Sequence, residues 1–378
     1  MRAAAGGDSA GGGASVSDIA VELHERASAL LEEHRLEEAR SDCERSLELF
    51  VEAEGERSPD VANVMCLLAE IVDRQGKWDR AADLALGAIG ILDELREVFS
   101  GEDADRIRLE ALSLAGNAYR QAGRYAEAGW LLGNAITHCE RAFGADDPAV
   151  SRALNNLAVL YKYTGEFEEA EGLYRRALAI LEDAYGVDSL ETATIHHNLG
   201  GLEHARGRFA AGEPHARRAW EIRRRFLGDD HPATAADAAA WAGVLDGLER
   251  FDESEPLYRH ALEVFERVYG PRHYEIAVNL NNLAFVEQAK GNVAEAEVLF
   301  RRSLALKEEL LGDSHPDVAV TANNLAQLLR STGRRDEARM LAERAVTICR
   351  SALAEDHPKR LVCEETLFEC AFAGGHFE

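Results

Sequence analysis

The chain has 378 residues, a length that suits either two or three globular domains or one body built from repeats. Its 42 Lys and Arg residues are outnumbered by 68 Asp and Glu residues, and the formal charge of -26 opposes general binding to a phosphate backbone. Hydrophobic residues make up 46% of the sequence and only 8 residues are proline, which predicts a buried core and long helices. We therefore expect no nucleic-acid partner.

The N-terminal segment 1–17 is rich in Gly, Ala and Ser and lacks the apolar run of a signal peptide, so we expect a disordered tail there. The sequence contains no run of about 18 uncharged apolar residues, which predicts no membrane partner. Its 6 cysteines form no CxxC pair and indicate neither a disulfide framework nor a zinc site. A cytoplasmic localisation fits this cysteine usage best, and no cofactor is expected.

A similar phrase returns along the chain with a period of 42 residues. The segment ALNNLAVLYKYTGEFEEAEGLYRRALAILEDAYG begins at Ala153, and NLNNLAFVEQAKGNVAEAEVLFRRSLALKEELLG begins at Asn279. Glycines keep the same phase, and Glu249 fills the one missing step: Gly123, Gly165, Gly207, Gly291, Gly333 and Gly375. Upstream of a five-residue insertion near 101–106, Gly76 and His34 continue the phase.

Each repeat reads as two helices separated by the glycine turn. In the first helix, Leu154, Leu157, Ala158 and Tyr161 follow the i, i+3, i+4, i+7 spacing of one apolar stripe. Because no unit can bury its stripe alone, neighbouring units are predicted to stack into a superhelix. We predict about eight helix pairs in one solenoid over 18–378, at 18–58, 59–104, 105–146, 147–188, 189–230, 231–272, 273–314 and 315–356, with a partial ninth at 357–378.

Several boxes carry a family resemblance: LNNLA in the first helix, GxF/YxEAE at the turn, Y/FxRAL in the second helix and LGxxHP at the link. These boxes resemble the kinesin-light-chain type of tetratricopeptide repeat from about Asp18 onward. The resemblance implies an all-α tetratricopeptide-type solenoid with a C-terminal capping helix, acting as a binding scaffold and not as an enzyme. The sixth unit departs from the pattern at Ala239, Ala240, Trp241 and Glu249, so a groove there is expected to bind differently.

In this family the first helices line the concave surface, and the second, fifth, sixth, ninth, twelfth and thirteenth places face the groove. Carried over to this sequence, the resemblance implies these peptide- or partner-binding residues: Asn155, Asn156, Lys162, Tyr163, His197, Asn198, Asn281, Asn282, Phe285, Asn323, Asn324, Gln327 and Arg330. An asparagine ladder can grip the backbone of an extended peptide, since each amide is both donor and acceptor. Alternatively, each asparagine bridges two helices of the solenoid. The sequence leaves both open and favours the sixth-place residues as ligand contacts.

The histidines give little support to a metal site. His231, His273, His315 and His357 recur every 42 residues, and equivalent atoms in stacked repeats lie about 10 Å apart, too far for ligands near 2 Å from one zinc. We interpret these four as linker residues and predict no metal. The sequence also contains no GxSxG, HExxH, P-loop or GxGxxG motif. A groove-sited metal-dependent enzyme would therefore depend on a cluster of His197, Glu203 and His204.

Two further surfaces invite an interpretation. The run Arg217, Arg218, Arg223, Arg224 and Arg225 is expected to be a solvated face, with docking of an acidic partner as the alternative. The partial ninth unit carries more apolar surface than one neighbour covers, which predicts that the C-terminal helix pairs with a second copy of the chain or with a partner. Its apolar residues are Leu361, Val362, Leu367, Phe368 and Phe372.

The sequence thus predicts a protein-interaction scaffold or adaptor that binds a peptide or a partner-protein segment in its concave groove. The alternative is a peptide- or ligand-sensing regulatory protein that acts through a partner.

Overall fold

The structure is a computed structural model that describes residues 15–33, 35–353, 355 and 358–372. Over these residues the chain forms seventeen α-helices and no strand. The helices are α1 (Val16–Glu32), α2 (Leu36–Glu54), α3 (Pro59–Arg74), α4 (Trp78–Glu94), α5 (Glu102–Gln121), α6 (Tyr125–Phe143), α7 (Pro148–Thr164), α8 (Phe167–Tyr185), α9 (Leu190–Ala205), α10 (Phe209–Leu227), α11 (Pro232–Gly247), α12 (Phe251–Tyr269), α13 (Tyr274–Ala289), α14 (Val293–Leu311), α15 (Pro316–Ser331), α16 (Arg335–Ala352) and α17 (Pro358–Phe372). The all-α prediction is confirmed.

The helix starts follow the predicted repeat starts closely, with two differences. The five-residue insertion near 101–106 is absorbed into α5, which begins at Glu102, three residues before the predicted Asp105. Helix α1 begins at Val16 because the Ser15 hydroxyl accepts a hydrogen bond from the Asp18 amide at 3.1 Å and caps the helix. The predicted disordered tail at 1–17 is therefore wrong for its last two residues, which belong to α1. Residues 1–14 of that tail lie outside the described residues.

The helix ends are set by the residues that recur in the sequence. His231, His273 and His315 each accept a hydrogen bond at Nδ1 from the backbone amide two residues later, so the regular histidines are N-caps, as the linker interpretation predicts. His357 lies outside the described residues. The turn between the two helices of a repeat needs one residue in the left-handed region, with φ of 84° at Gly291. Glu249 adopts the same conformation with φ 57°.

Small residues recur where the two helices of a repeat cross. Ala158, Ala242 and Ala284 are fully buried. At Gly200 a Cβ would lie 3.0 Å from both the Cβ and the backbone nitrogen of Ala216, so even alanine would crowd this crossing. Large side chains such as Tyr258 fill the space between the crossings and are also fully buried.

Contacts divide the chain into two compact units, residues 1–184 and 185–378. Within each unit the first helix of a repeat contacts the first helix of the next, as α9, α11, α13 and α15 do in succession. Among the described residues, the backbones of second helices in adjacent repeats do not approach each other as closely, and these helices meet through long side chains, as in the ion pair of Arg259 with Glu295 at 2.8 Å. The first helices are thus the more closely spaced layer of each unit. Helix α17 packs on α16 and α15 in the way predicted for a cap, while one continuous solenoid over 18–378 stays a prediction.

Candidate functional site

The second unit contains a cavity of about 380 Å³ on the side of its first helices. It is lined by His204 of α9, Gly243, Asp246 and Gly247 of α11, Asn281, Asn282 and Phe285 of α13, Asn324 of α15, and by Phe209 and Tyr258 of α10 and α12. Four of the predicted binding residues are therefore brought together: Asn281, Asn282, Phe285 and Asn324. Helices from four successive repeats contribute to one recess.

Glycines of the sixth repeat open this cavity. Gly243 stands 42 residues before Phe285, so it leaves empty the space that a large side chain fills in the seventh repeat. A Cβ at Gly247 would lie 2.2 Å from the Phe209 ring, so this glycine lets the ring close one wall. The surface of the sixth repeat therefore differs from that of its neighbours because these two glycines leave room for a cavity. The sequence pattern had predicted a difference at this repeat, but from other residues.

The three amide side chains in the cavity form a short hydrogen-bonded chain. Asn324 donates from Nδ2 to Oδ1 of Asn281 at 3.1 Å, and Asn281 donates from Nδ2 to Oδ1 of Asn282 at 3.3 Å. All three residues are half-buried. Within the described residues Asn282 Nδ2 makes no hydrogen bond, so the chain ends in an amide donor that a bound molecule can use.

Asp246 is the charged residue that the sequence analysis missed. Its Oδ2 accepts a hydrogen bond from the Tyr258 hydroxyl at 2.8 Å, and the Ser254 hydroxyl is a second donor beside the carboxyl. Burial raises the pKa of the Asp246 carboxyl, and the hydroxyls of Ser254 and Tyr258 offset part of the rise. Its position in the sequence could have revealed it, because Asp246 occupies the twelfth place of its repeat, one of the places that face the groove in this family.

The predicted residues of the eighth repeat are engaged by the protein itself. Asn323 is only 2% exposed, so it does not face a groove and we remove it from the candidate site. Gln327 donates from Nε2 to the Thr366 hydroxyl at 3.0 Å, and Arg330 pairs with Glu369 at 2.8 Å. Both partners belong to α17. The capping helix thus covers this end of α15 and occupies the places that the family pattern assigns to a ligand.

In the fifth repeat, His197 Nδ1 lies 2.7 Å from Asp237 Oδ1, and Arg223 lies 2.6 Å from the same oxygen. Asp237 is fully buried, so this contact joins α9 to α11 and gives His197 a structural role. The neighbouring Asn198 is half-buried.

The cluster that an enzyme would require is not assembled. Glu203 pairs with Arg206 at 2.7 Å, whereas His204 lines the cavity and His197 pairs with Asp237. Among the described residues, no group of three or more His, Cys, Asp or Glu side chains is placed to hold a metal ion.

The predicted residues of the first unit form a separate polar surface. The Arg120 guanidinium lies 5.2 Å from the centre of the Tyr163 ring. Lys162 is half-buried, and burial together with the charge of Arg120 lowers its pKa. Asn155 and Asn156 are half-buried on the same helix. Lys162 and Arg120 thus bring two cationic side chains close together on this surface.

The arginine run on α10 is neutralised by nearby carboxylates. Asp188 contacts both Arg218 and Arg225, and Arg224 pairs with Asp229 at 2.6 Å. This pairing agrees with a solvated face and leaves docking of an acidic partner as a prediction without added support.

Comparison with known proteins agrees with this architecture. The tetratricopeptide-repeat profile matches residues 18–94, 107–183, 191–241, 236–285 and 275–351. The chain belongs to the tetratricopeptide-repeat family. Similar structures include the TPR-like repeats of a kinesin-light-chain-type protein from Podosopora anserina (22% identity, TM-score 0.45, 55% of this chain and 99% of that one).

Two other solved structures share the fold more extensively. The quorum sensor NprR from B. thuringiensis, in its apo form, has 13% identity, a TM-score of 0.65 and coverage of 89% of this chain and 88% of its own. A Rap protein complexed with Competence and Sporulation Factor has 13% identity, a TM-score of 0.57 and coverage of 94% and 98%. At this identity the likeness concerns the fold alone. Comparison with curated proteins gives no significant match.

Apart from the gaps named above, no helix between residues 15 and 372 is both long and apolar enough to span a membrane.

Proposed function

We propose that the protein is an adaptor without catalytic activity. It binds an extended segment of a partner polypeptide along α11, α13 and α15, the first helices of the sixth, seventh and eighth repeats. The observation that carries this proposal is the cavity in which the Asn281, Asn282 and Asn324 amides lie beside the Phe285 ring. Amide side chains can pair with the N–H and C=O groups of an extended chain, and an aromatic wall can hold one of its side chains. Solenoid repeat proteins use surfaces of this kind for binding.

A regulatory sensor is the second candidate function. The feature that favours it is the small size of the cavity, because about 380 Å³ lies near the lower end of ligand pockets and suits a short peptide. The fold-level likeness to a quorum sensor and to a Rap protein complexed with a factor is compatible with this role. In a sensor, the bound peptide would change the packing of neighbouring repeats and so alter a second contact with a partner protein.

The binding proposal is tested with the purified full chain and an immobilised library of short peptides capped at both ends. Affinities of the peptides that bind are then measured for the unmodified protein, for Asn282→Ala and for Asn134→Ala. Asn134 is a half-buried amide on the second helix α6, outside the cavity, and serves as the control. Removal of the free donor of Asn282 should weaken binding about fivefold, the effect of one hydrogen bond of about 1 kcal/mol.

Equal affinities for all three proteins, or a library without binders, would contradict the proposal. Small-angle scattering with and without the bound peptide separates the two candidate functions. An unchanged profile supports the adaptor, and a changed profile supports the sensor.

A further inference from the structure

The first unit contains an apolar recess of about 380 Å³ beside its second helices α4 and α6. Its apolar lining residues are Leu86, Ile89, Leu112, Trp130 and Leu131. Leu112 and Leu131 are buried, whereas Trp130 is 69% exposed and forms one wall. An exposed tryptophan next to an apolar hollow is a feature of protein interfaces, where aromatic residues contribute much of the binding energy.

The repeat pattern is interrupted at this recess. The residues that follow Trp130 at 42-residue steps are all smaller: Gly172, Pro214, Pro256 and Val298. Gly133 stands where the later repeats have Arg175, Arg217, Arg259 and Arg301. One of these arginines, Arg259, pairs with Glu295 of the next second helix at 2.8 Å, whereas no ion pair of the described residues joins α4 to α6. The third repeat therefore exposes apolar surface where later repeats carry ion pairs.

One cation at the edge of the recess is available to an acidic group. Arg108 pairs with Asp93 at 2.7 Å, and His138 lies 3.4 Å from Asp105. Arg141 also lines the recess, but it is exposed and forms no ion pair with the described residues. The recess therefore suits an apolar helix face that carries one acidic side chain.

Helix α17 presents a face of this kind. Leu361, Glu365 and Phe368 follow the i, i+4, i+7 spacing of one helix face. Leu361 and Phe368 are 51% and 63% exposed, and Glu365 is exposed between them and forms no ion pair with the described residues. The neighbouring acids Glu364 and Glu369 are already paired with arginines of the same chain. The charge on this apolar face is thus opposite to that of Arg141.

We propose that the recess beside Trp130 binds helix α17 of a second copy of the chain, with Leu361 and Phe368 in the apolar hollow and Glu365 paired with Arg141. This contact is separate from the proposed peptide binding, because none of its residues lines the cavity of the second unit. The formal charge of -26 makes copies repel one another, so a cation that meets an acid at the contact fixes which surfaces come together.

The test measures self-association of the full chain by sedimentation at about 0.15 M salt, where long-range repulsion is screened. The unmodified chain is compared with Arg141→Glu, with Glu365→Arg, with the two changes combined and with Trp130→Ser. Arg80→Glu is the control, because Arg80 is an exposed arginine of α4 that does not line the recess and its replacement makes the same change in charge as Arg141→Glu. Thermal melting followed by dichroism checks that each variant is folded.

Each single charge reversal should weaken association about tenfold, since a repulsion replaces an attraction, and the combined variant should recover most of the loss. Trp130→Ser should weaken association at least as much, and Arg80→Glu should leave it unchanged. A monomeric unmodified chain, or no recovery in the combined variant, would overturn the inference. Weakening by Glu365→Arg without weakening by Arg141→Glu and Trp130→Ser would also overturn it, because α17 would then pair with another surface of the second copy.

Discussion

Asn324 donates a hydrogen bond from Nδ2 to Oδ1 of Asn281 at 3.1 Å and so joins the first helices of the eighth and seventh repeats. The contact matches the helix-bridging interpretation of the recurring asparagines. Asn282, the residue next to Asn281, keeps a free Nδ2 donor toward the cavity among the described residues. The helix-bridging interpretation thus holds for Asn324, whereas ligand contact by Asn282 stays a prediction.

This difference predicts how two amides affect stability. Asn324→Ala removes a hydrogen bond between two helices and should lower the free energy of unfolding by about 1 kcal/mol. Asn282→Ala loses only the long 3.3 Å contact with its neighbour on the same helix, so its effect should stay below about 0.5 kcal/mol. Urea unfolding of both variants measures the two values. A larger loss for Asn282→Ala would contradict this assignment.

Glu249 is predicted to destabilise the turn of the sixth repeat. It adopts φ 57°, a conformation that costs most residues about 1 kcal/mol or more but is free of that cost for glycine. We expect Glu249→Gly to raise the free energy of unfolding by roughly 0.5–1 kcal/mol, because the greater freedom of unfolded glycine offsets part of the gain.

The reverse change at the next repeat serves as its control. Gly291 has φ 84°, and a Cβ there would meet nothing within 4 Å, so Gly291→Glu changes the backbone preference without a clash. Chemical denaturation should show a loss of similar size. If Glu249→Gly left the denaturation midpoint unchanged or lowered it, backbone strain at this turn would not be the explanation.

The six cysteine thiols should be unreactive in the folded protein. All six are buried, and burial raises the pKa of Cys43 to about 12 and that of Cys139 to about 11. Because the thiolate is the reacting form, a thiol reagent such as Ellman's reagent should modify the native chain slowly at mildly alkaline pH. The same chain in guanidinium chloride should react rapidly at all six. Rapid stoichiometric reaction of a native thiol would show that its helix opens readily.

A histidine pair should make the second unit less stable in acid. Nδ1 of His196 lies 2.9 Å from Nδ1 of His215, and burial, followed by the charges of His215 and Arg218, lowers the pKa of His196 from 6.5 to about 4. The unfolded chain then binds more protons at this site than the folded chain, so stability falls as pH drops from about 6.5 to 4. Urea unfolding across this range should show the slope, and His196→Gln should reduce it. An equal slope in the variant would assign the effect to other groups.

The C-terminal helix is predicted to mediate self-association. Leu361, Val362 and Phe368 of α17 are 51%, 47% and 63% exposed, an apolar surface that a second copy could bury. Sedimentation of the full chain should show a dimer that Leu361→Ser combined with Phe368→Ser converts to a monomer, with helical dichroism unchanged. A monomeric unmodified chain at high concentration would contradict this prediction.

The local pattern of the sequence determined the repeat architecture because each of its signals acts within a few residues. His231 and His315 cap the helices that follow them, and Glu249 adopts the left-handed turn at the place where the 42-residue phase requires one. The apolar spacing placed small residues such as Ala242 in the buried crossings. Each of these features depends only on residues that are close in the sequence and on the period of the α-helix.

The tertiary structure decided which groove positions remain available, since that depends on helices distant in the sequence. Gln327 and Arg330 contact α17 about 40 residues further on, and the position of Asn323 beneath its neighbours removes it from the surface. Asp246 lines a cavity because Gly243 and Gly247 leave space beside it and Phe209 and Phe285 enclose that space. The repeat pattern assigns the same places to every unit, whereas packing between units determines whether a side chain there meets solvent, a cavity or another helix.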